Sequence, residues 1–169
     1  MALSLAAEKY SQTLLAMHAR VLPSIILMDR QIDQKTPPGV LEIAVLHLAE
    51  DRINAERFAA LLEQTHPNGV GSYKVSARAL SYAELKTAPA AAGYYLLPAD
   101  QASITRAIDA AIAQSRVSFA YEESLVRSGV LASLSVGRKT TPYLNTDTIA
   151  KSRILFNPTL IGIAKRFPE

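Results

Sequence analysis

The chain has 169 residues, of which 49% are apolar and 20% charged, with a net charge of +3 and a pI near 9.2. That size and composition fit one globular domain able to bury a core without metal or disulfide. The sequence contains no cysteine, which excludes disulfides, thiolate metal sites and cysteine nucleophiles. Lys and Arg are scattered rather than clustered with aromatics, so nucleic acid is not an expected partner.

No apolar run approaches the roughly 20 residues of a membrane span. The segment Met1–Ala7 is apolar but too short and uncharged for a complete signal peptide. It reads equally as a mature chain with an added Met or as a cytosolic start.

From residue 8 to residue 28, Leu14, Leu15, Met17, Val21, Leu22, Ile25 and Ile26 recur with helical spacing. Pro23 is expected to kink this helix or divide it in two. Pro37-Pro38-Gly39 is a firm break. Val40 to Leu48 is nearly continuous in apolar character, as a central parallel strand is. Asn54 is placed to cap a helix over Ala55 to Gln64, with Phe58, Leu61 and Leu62 inward. Tyr73 to Leu80 alternates and reads as a strand nearer the sheet edge. Tyr82 to Lys86 has the length of one helical turn. Gly93 to Leu97 is a short buried strand, and Asp100 or Ser103 caps a helix over Ile104 to Ser115. Val117 to Tyr121 is a further strand.

Val130–Val136 and Thr140–Asn145 predict a hairpin, with Gly137 supplying a positive φ in its turn. Short helices are expected over Asp147 to Ser152 and over Asn157 to Arg166. Strands alternating with ten-residue helices imply right-handed crossovers and a mostly parallel sheet flanked by helices. The expectation is therefore one α/β domain over residues 1–169, Rossmann-like. It comprises an N-terminal helix (8–28), an α/β core (40–121) and a C-terminal hairpin with its closing helix (129–167).

No phosphate-binding glycine loop or hydrolase nucleophile motif occurs, so no catalytic residue and no cofactor is assigned. His18, His47 and His66 are isolated, which makes no metal site, and His47 reads as a strand-end histidine with a backbone partner. In open parallel sheets, ligands sit beyond the carboxyl ends of the strands. That logic selects Glu50 and Asp51, then Asp100, then Glu122, Glu123 and Ser124, on three loops expected to rim one crevice. The ordinary reading beside it is that loops are polar because they face water. Glu122 and Glu123 would be acid and base in an enzyme, but adjacent side chains point apart and nothing in the sequence orients them. Arg127 and Arg138 flank the predicted hairpin and are candidates for holding an acidic partner.

The order of elements resembles the YfiR-like family of bacterial periplasmic proteins over most of the chain. The resemblance is carried by the opening helix, by Leu41-Glu42-Ile43-Ala44-Val45-Leu46 and by Tyr94-Tyr95-Leu96-Leu97-Pro98-Ala99. Its best piece is Arg127-Ser128-Gly129-Val130-Leu131-Ala132-Ser133-Leu134, with Tyr143-Leu144-Asn145 and the Leu/Ala-rich ending. The aromatic-Pro corner of that family's first helix is missing here, and so are the cysteines of its redox-responsive control. The resemblance implies the fold of one lobe of a periplasmic binding protein. It also implies a non-enzymatic periplasmic regulator that binds the sensory domain of a membrane protein such as a diguanylate cyclase, as a monomer or homodimer. The segment Phe119 to Gly129 also resembles substrate-binding components of ABC transporters, so a solute-binding protein with a small ligand is the alternative. A cytosolic α/β enzyme is the third reading.

Overall fold

Val40–His47 forms strand β1 because its apolar residues serve both faces of a sheet at once. Leu41, Ile43 and Val45 enter one core, and Ala44 and Leu46 enter a second, as the two-residue period of a strand requires. The computed structural model describes residues 9–169. Residue 8 of the expected first helix, and the Met1–Ala7 segment, lie outside those described residues.

The other strands are β2 (Lys74–Ser81), β3 (Gly93–Leu96), β4 (Val117–Ala120), β5 (Ala132–Ser135), β6 (Thr141–Asn145) and β7 (Lys165–Phe167). Their order is β2-β1-β3-β4-β5-β6-β7. The pairs are parallel from β2 through β5, β6 runs antiparallel to β5, and β7 is parallel to β6. The expected α/β class, the mostly parallel sheet, the edge position of β2 and the β5–β6 hairpin are all present.

Helices α1 (Gln12–Leu27) and α2 (Arg52–Thr65) cover one face, and α3 (Gln101–Gln114) covers the other. The chain thus leaves β1 toward one face and β3 toward the opposite face. The switch point of this doubly wound sheet lies between the carboxyl ends of β1 and β3. Two short helices, α4 (Thr146–Ser152) and α5 (Pro158–Ile163), close the C-terminal part.

Several local expectations are corrected. Asn54 does not cap α2, which begins at Arg52; its amide donates to Asp51 instead, at 3.2 Å. The last helix stops at Ile163 rather than Arg166, and Lys165–Phe167 adds a seventh strand to the free edge of β6. Gly137 has no positive φ, because the hairpin turn is long enough to avoid one. Gly129 does need its conformational freedom, with φ +116° where the turn over Glu123–Ser128 ends.

Pro23 neither breaks nor divides α1. A helical proline leaves the carbonyl four residues earlier without its donor. That carbonyl belongs to Ala19, which is fully buried, and His66 Nε2 donates to it at 2.8 Å from the loop after α2. One side chain thus supplies the missing bond and ties α1 to α2. Gly93 lets the same helix lie close on β3, since a Cβ there would overlap the Ile26 side chain.

His66→Ala is expected to lower stability by about 1–3 kcal/mol, the cost of orphaning a buried carbonyl. Introducing Pro23→Ala restores a backbone N–H to Ala19, so the same His66 substitution should cost less in that background. Urea unfolding of the four-member cycle measures the difference.

Candidate functional site

Asp51 ends the first turn after β1 and stands at the start of α2, yet its carboxylate does not cap that helix. It is only 2% exposed. A buried carboxylate must be paired, and three donors meet it: the Tyr10 hydroxyl at 2.6 Å, Lys9 Nζ at 2.9 Å and the Asn54 amide at 3.2 Å. Burial works against the ionised form, but the bonds from Tyr10, Lys9 and Asn54 outweigh it and hold the carboxyl below its usual range. The Tyr10 phenol is pushed up in turn, by burial first and then by its bond to Asp51.

Tyr10 is buried, and its ring meets Tyr121 edge to face with centroids 4.9 Å apart. The Tyr121 hydroxyl accepts the backbone N–H of Ser11 at 2.9 Å. Ser11 also caps α1 through the Leu14 N–H. The three residues before α1 are therefore stitched across the carboxyl ends of β1 and β4, over the switch point.

The three predicted loops do stand side by side, because β1, β3 and β4 are adjacent and parallel. Their residues play different parts. Asp51 is the buried anchor, whereas Glu50 is exposed. Asp100 is exposed and caps α3, accepting from the Ser103 hydroxyl at 2.7 Å and the Ser103 N–H at 3.1 Å; those bonds lower its pKa. Glu122 and Ser124 are exposed, and Glu123 lies 4.0 Å from Lys165. Tyr82 adds a hydroxyl that donates to the Leu97 carbonyl at 2.6 Å. Burial first, and then neighbours including Asp100, Asp51 and Glu122, push its phenol up, so the rim is acidic.

Arg127 and Arg138 are not brought together. Arg127 lies over the Phe167 ring, 5.7 Å from its centroid, near the end of the β5–β6 pair where Ala132 faces Leu144. Arg138 is exposed in the turn at the other end, beyond Ser135 and Thr141. His47 Nδ1 contacts the Leu48 carbonyl at 2.7 Å. Among the described residues, no three His, Asp or Glu side chains converge as a metal site, and no helix is long and apolar enough to cross a membrane.

The residues that sequence reasoning missed are Lys9, Tyr10, Tyr121 and His18. His18 is fully buried on α1, among the rings of Tyr95, Phe119 and Tyr121. Its Nδ1 lies 2.6 Å from the Tyr95 hydroxyl, and its Nε2 has no partner among the described residues. Burial lowers its pKa to about 4. Two open grooves flank the site. One, of about 320 Å³, runs past Ser11, Leu14, Met17, Tyr121, Leu134 and Val136. The other, of about 490 Å³, lies between Tyr82, Leu85 and Lys86 on one side and Arg106, Asp109 and Ala110 on the other.

No family model and no curated protein matches this chain. Two solved structures resemble it. A conserved domain protein from Vibrio cholerae is 15% identical with a TM-score of 0.57, over 90% of this chain and 59% of that one. An ABC domain in complex with L-Trp from Streptococcus pneumoniae is 12% identical with a TM-score of 0.53, over 85% of this chain and 60% of that one. The chain thus spans about three fifths of each. At these identities the likeness is one of fold: a single periplasmic-binding-protein-type lobe.

Both buried groups predict acid sensitivity. The unfolded chain protonates His18 near its ordinary pKa of 6.5, whereas the folded chain resists until about 4. Stability should therefore fall as pH drops through that window, on the order of 3 kcal/mol, and His18→Gln should remove this loss in urea titrations at pH 7 and pH 4. The Asp51 contribution is present above the ordinary carboxylate value and lost only below about pH 4. Tyr10→Phe should cost about 1.5–3 kcal/mol at pH 7 and much less at pH 2, measured the same way.

Proposed function

We propose that this chain is a non-enzymatic periplasmic regulatory protein that binds the periplasmic sensory domain of a membrane protein. A diguanylate cyclase is the partner class that the YfiR-like resemblance implies. One observation carries the reading. The crevice where an open parallel sheet receives small ligands is filled by the chain's own Lys9 and Tyr10, clamped on Asp51. What the molecule offers a partner is therefore its outer surface, including the acidic rim at Glu122 and the exposed hairpin turn at Arg138. Regulation then needs no chemistry in this chain, only different affinities for two states of the partner.

The solute-binding reading has its own support. A structural neighbour is a complex with L-Trp, and this chain spans about three fifths of it. On that reading the chain is one lobe of a two-lobed binder, and a closed ligand cavity needs a second chain or a twin copy.

The test is capture from detergent-solubilised membranes of the source cells, with the tagged chain as bait and mass spectrometry as readout. The expected catch is a membrane protein with a periplasmic sensory domain, retained about tenfold less by Arg138→Glu, since rim charges act mainly through association. Recovery of an ABC permease instead establishes the transport reading. A catch of cytosolic proteins alone overturns the periplasmic assignment.

A further inference from the structure

The Lys9–Tyr10 segment has the form of a ligand. It presents an ammonium and a phenol to one buried carboxylate, at 2.9 and 2.6 Å, while its ring packs on the edge of a second aromatic residue. The receiving side is built from separate parts of the chain: Asp51 and Asn54 from the β1–α2 connection, and Tyr121 from the end of β4. Asp51 stands where a helix-capping aspartate would stand but makes no cap bond, so its acceptor capacity is turned toward the crevice.

The occupant is attached lightly. The Lys9 side chain is 51% exposed, whereas Asp51 is 2% exposed. Beyond the contacts with Asp51 and Tyr121, the segment is joined to the fold through Ser11, whose side-chain cap bond to Leu14 stays within α1. Withdrawing Lys9 and Tyr10 would uncover a carboxylate in an acidic rim, an aromatic wall at Tyr121, and the groove of about 320 Å³ that Tyr121 also lines. A desolvated carboxylate would not stay unpaired; it would take another cation.

We propose that the crevice between Asp51 and Tyr121 is a binding site for a small aromatic primary ammonium compound, held closed here by Lys9 and Tyr10 as its intramolecular stand-in. The ligand's ammonium would take the place of the Lys9 Nζ on Asp51, and its ring the place of Tyr10 against Tyr121. Binding would expel the segment preceding α1. The inference deepens the regulator reading by naming its signal, but its test needs only the purified chain.

Tyramine is the probe, because it carries both groups that the segment presents. A site populated mostly in its closed form loses apparent affinity by the fraction closed. The Tyr10→Ala chain should therefore bind tyramine at least about tenfold more tightly than the wild-type chain by calorimetry, and adding Asp51→Asn should abolish that binding. In the wild-type chain, which requires no destabilising change, saturating tyramine should speed trypsin cleavage after Lys9 several-fold, with cleavage after the exposed Lys139 as the unchanged reference. Equal affinity in the two chains, binding that survives Asp51→Asn, or cleavage after Lys9 that tyramine leaves unaltered overturns the proposal. None of those results bears on which membrane protein the chain captures.

Discussion

A carboxylate removed from water has to be compensated by nearby charge and hydrogen bonds, and Asp51 is the residue at which this chain meets that constraint. Its compensation comes from three donors, two of them more than forty residues away in sequence. That fixes where the polypeptide enters the domain. Tyr10 must reach Asp51, so Ser11 falls beside Tyr121 and α1 must start above the carboxyl ends of the strands. From there the helix has one course, along the sheet face that Leu41, Ile43 and Val45 present.

The course of α1 is then maintained by devices of different kinds. Gly93 admits the helix to close packing on β3, and His66 supplies the hydrogen bond that Pro23 withholds. Beneath the helix lies an aromatic stack, Phe58 on Tyr95 at 4.1 Å and Tyr95 on Phe119 at 5.8 Å between centroids. His18 points into this stack with one ring nitrogen unpartnered among the described residues. A neutral histidine is tolerated there because burial keeps it uncharged. The cost is that acid turns the same residue against the fold.

What could be read from the sequence follows from which interactions are local. The central strands announced themselves because both faces of β1 and β3 are buried, which leaves an unbroken apolar run. The alternation in β2 marked an edge strand for the converse reason. The loops after β1, β3 and β4 were legible because topology alone places them together. What the sequence did not disclose is which loop residue is buried: Asp51 and Glu50 look equivalent until Tyr10 is known to be near. Nothing in Lys9-Tyr10-Ser11 signals a partner at residue 51, since the pairing exists only once α1 has packed. The seventh strand was hidden for a similar reason. Three residues, Lys165–Phe167, carry no period of their own and become a strand only by lying beside β6. The prediction of a broken α1 applied the proline rule correctly but could not see His66, which removes the penalty from outside the helix.

The same distribution of interactions decides where this protein can change state. Most of the sheet and the inward faces of α1, α2 and α3 belong to one of two buried clusters, so moving any of these elements would open a core. The segment before α1 is the exception. Its hold on the domain is a set of polar contacts and one aromatic edge, with the ammonium half in water. Those contacts release their energy independently of the cores, so the segment can leave while the sheet stays folded. A regulator requires two states of comparable free energy, and this arrangement places the smaller barrier at the switch point of the sheet. The residues that would face a partner there, Glu122 and the Tyr121 hydroxyl, are also those next to the moving segment. Occupancy of the crevice and the shape of the outer rim are thereby coupled through a single layer of side chains, without any rearrangement of the fold beneath it.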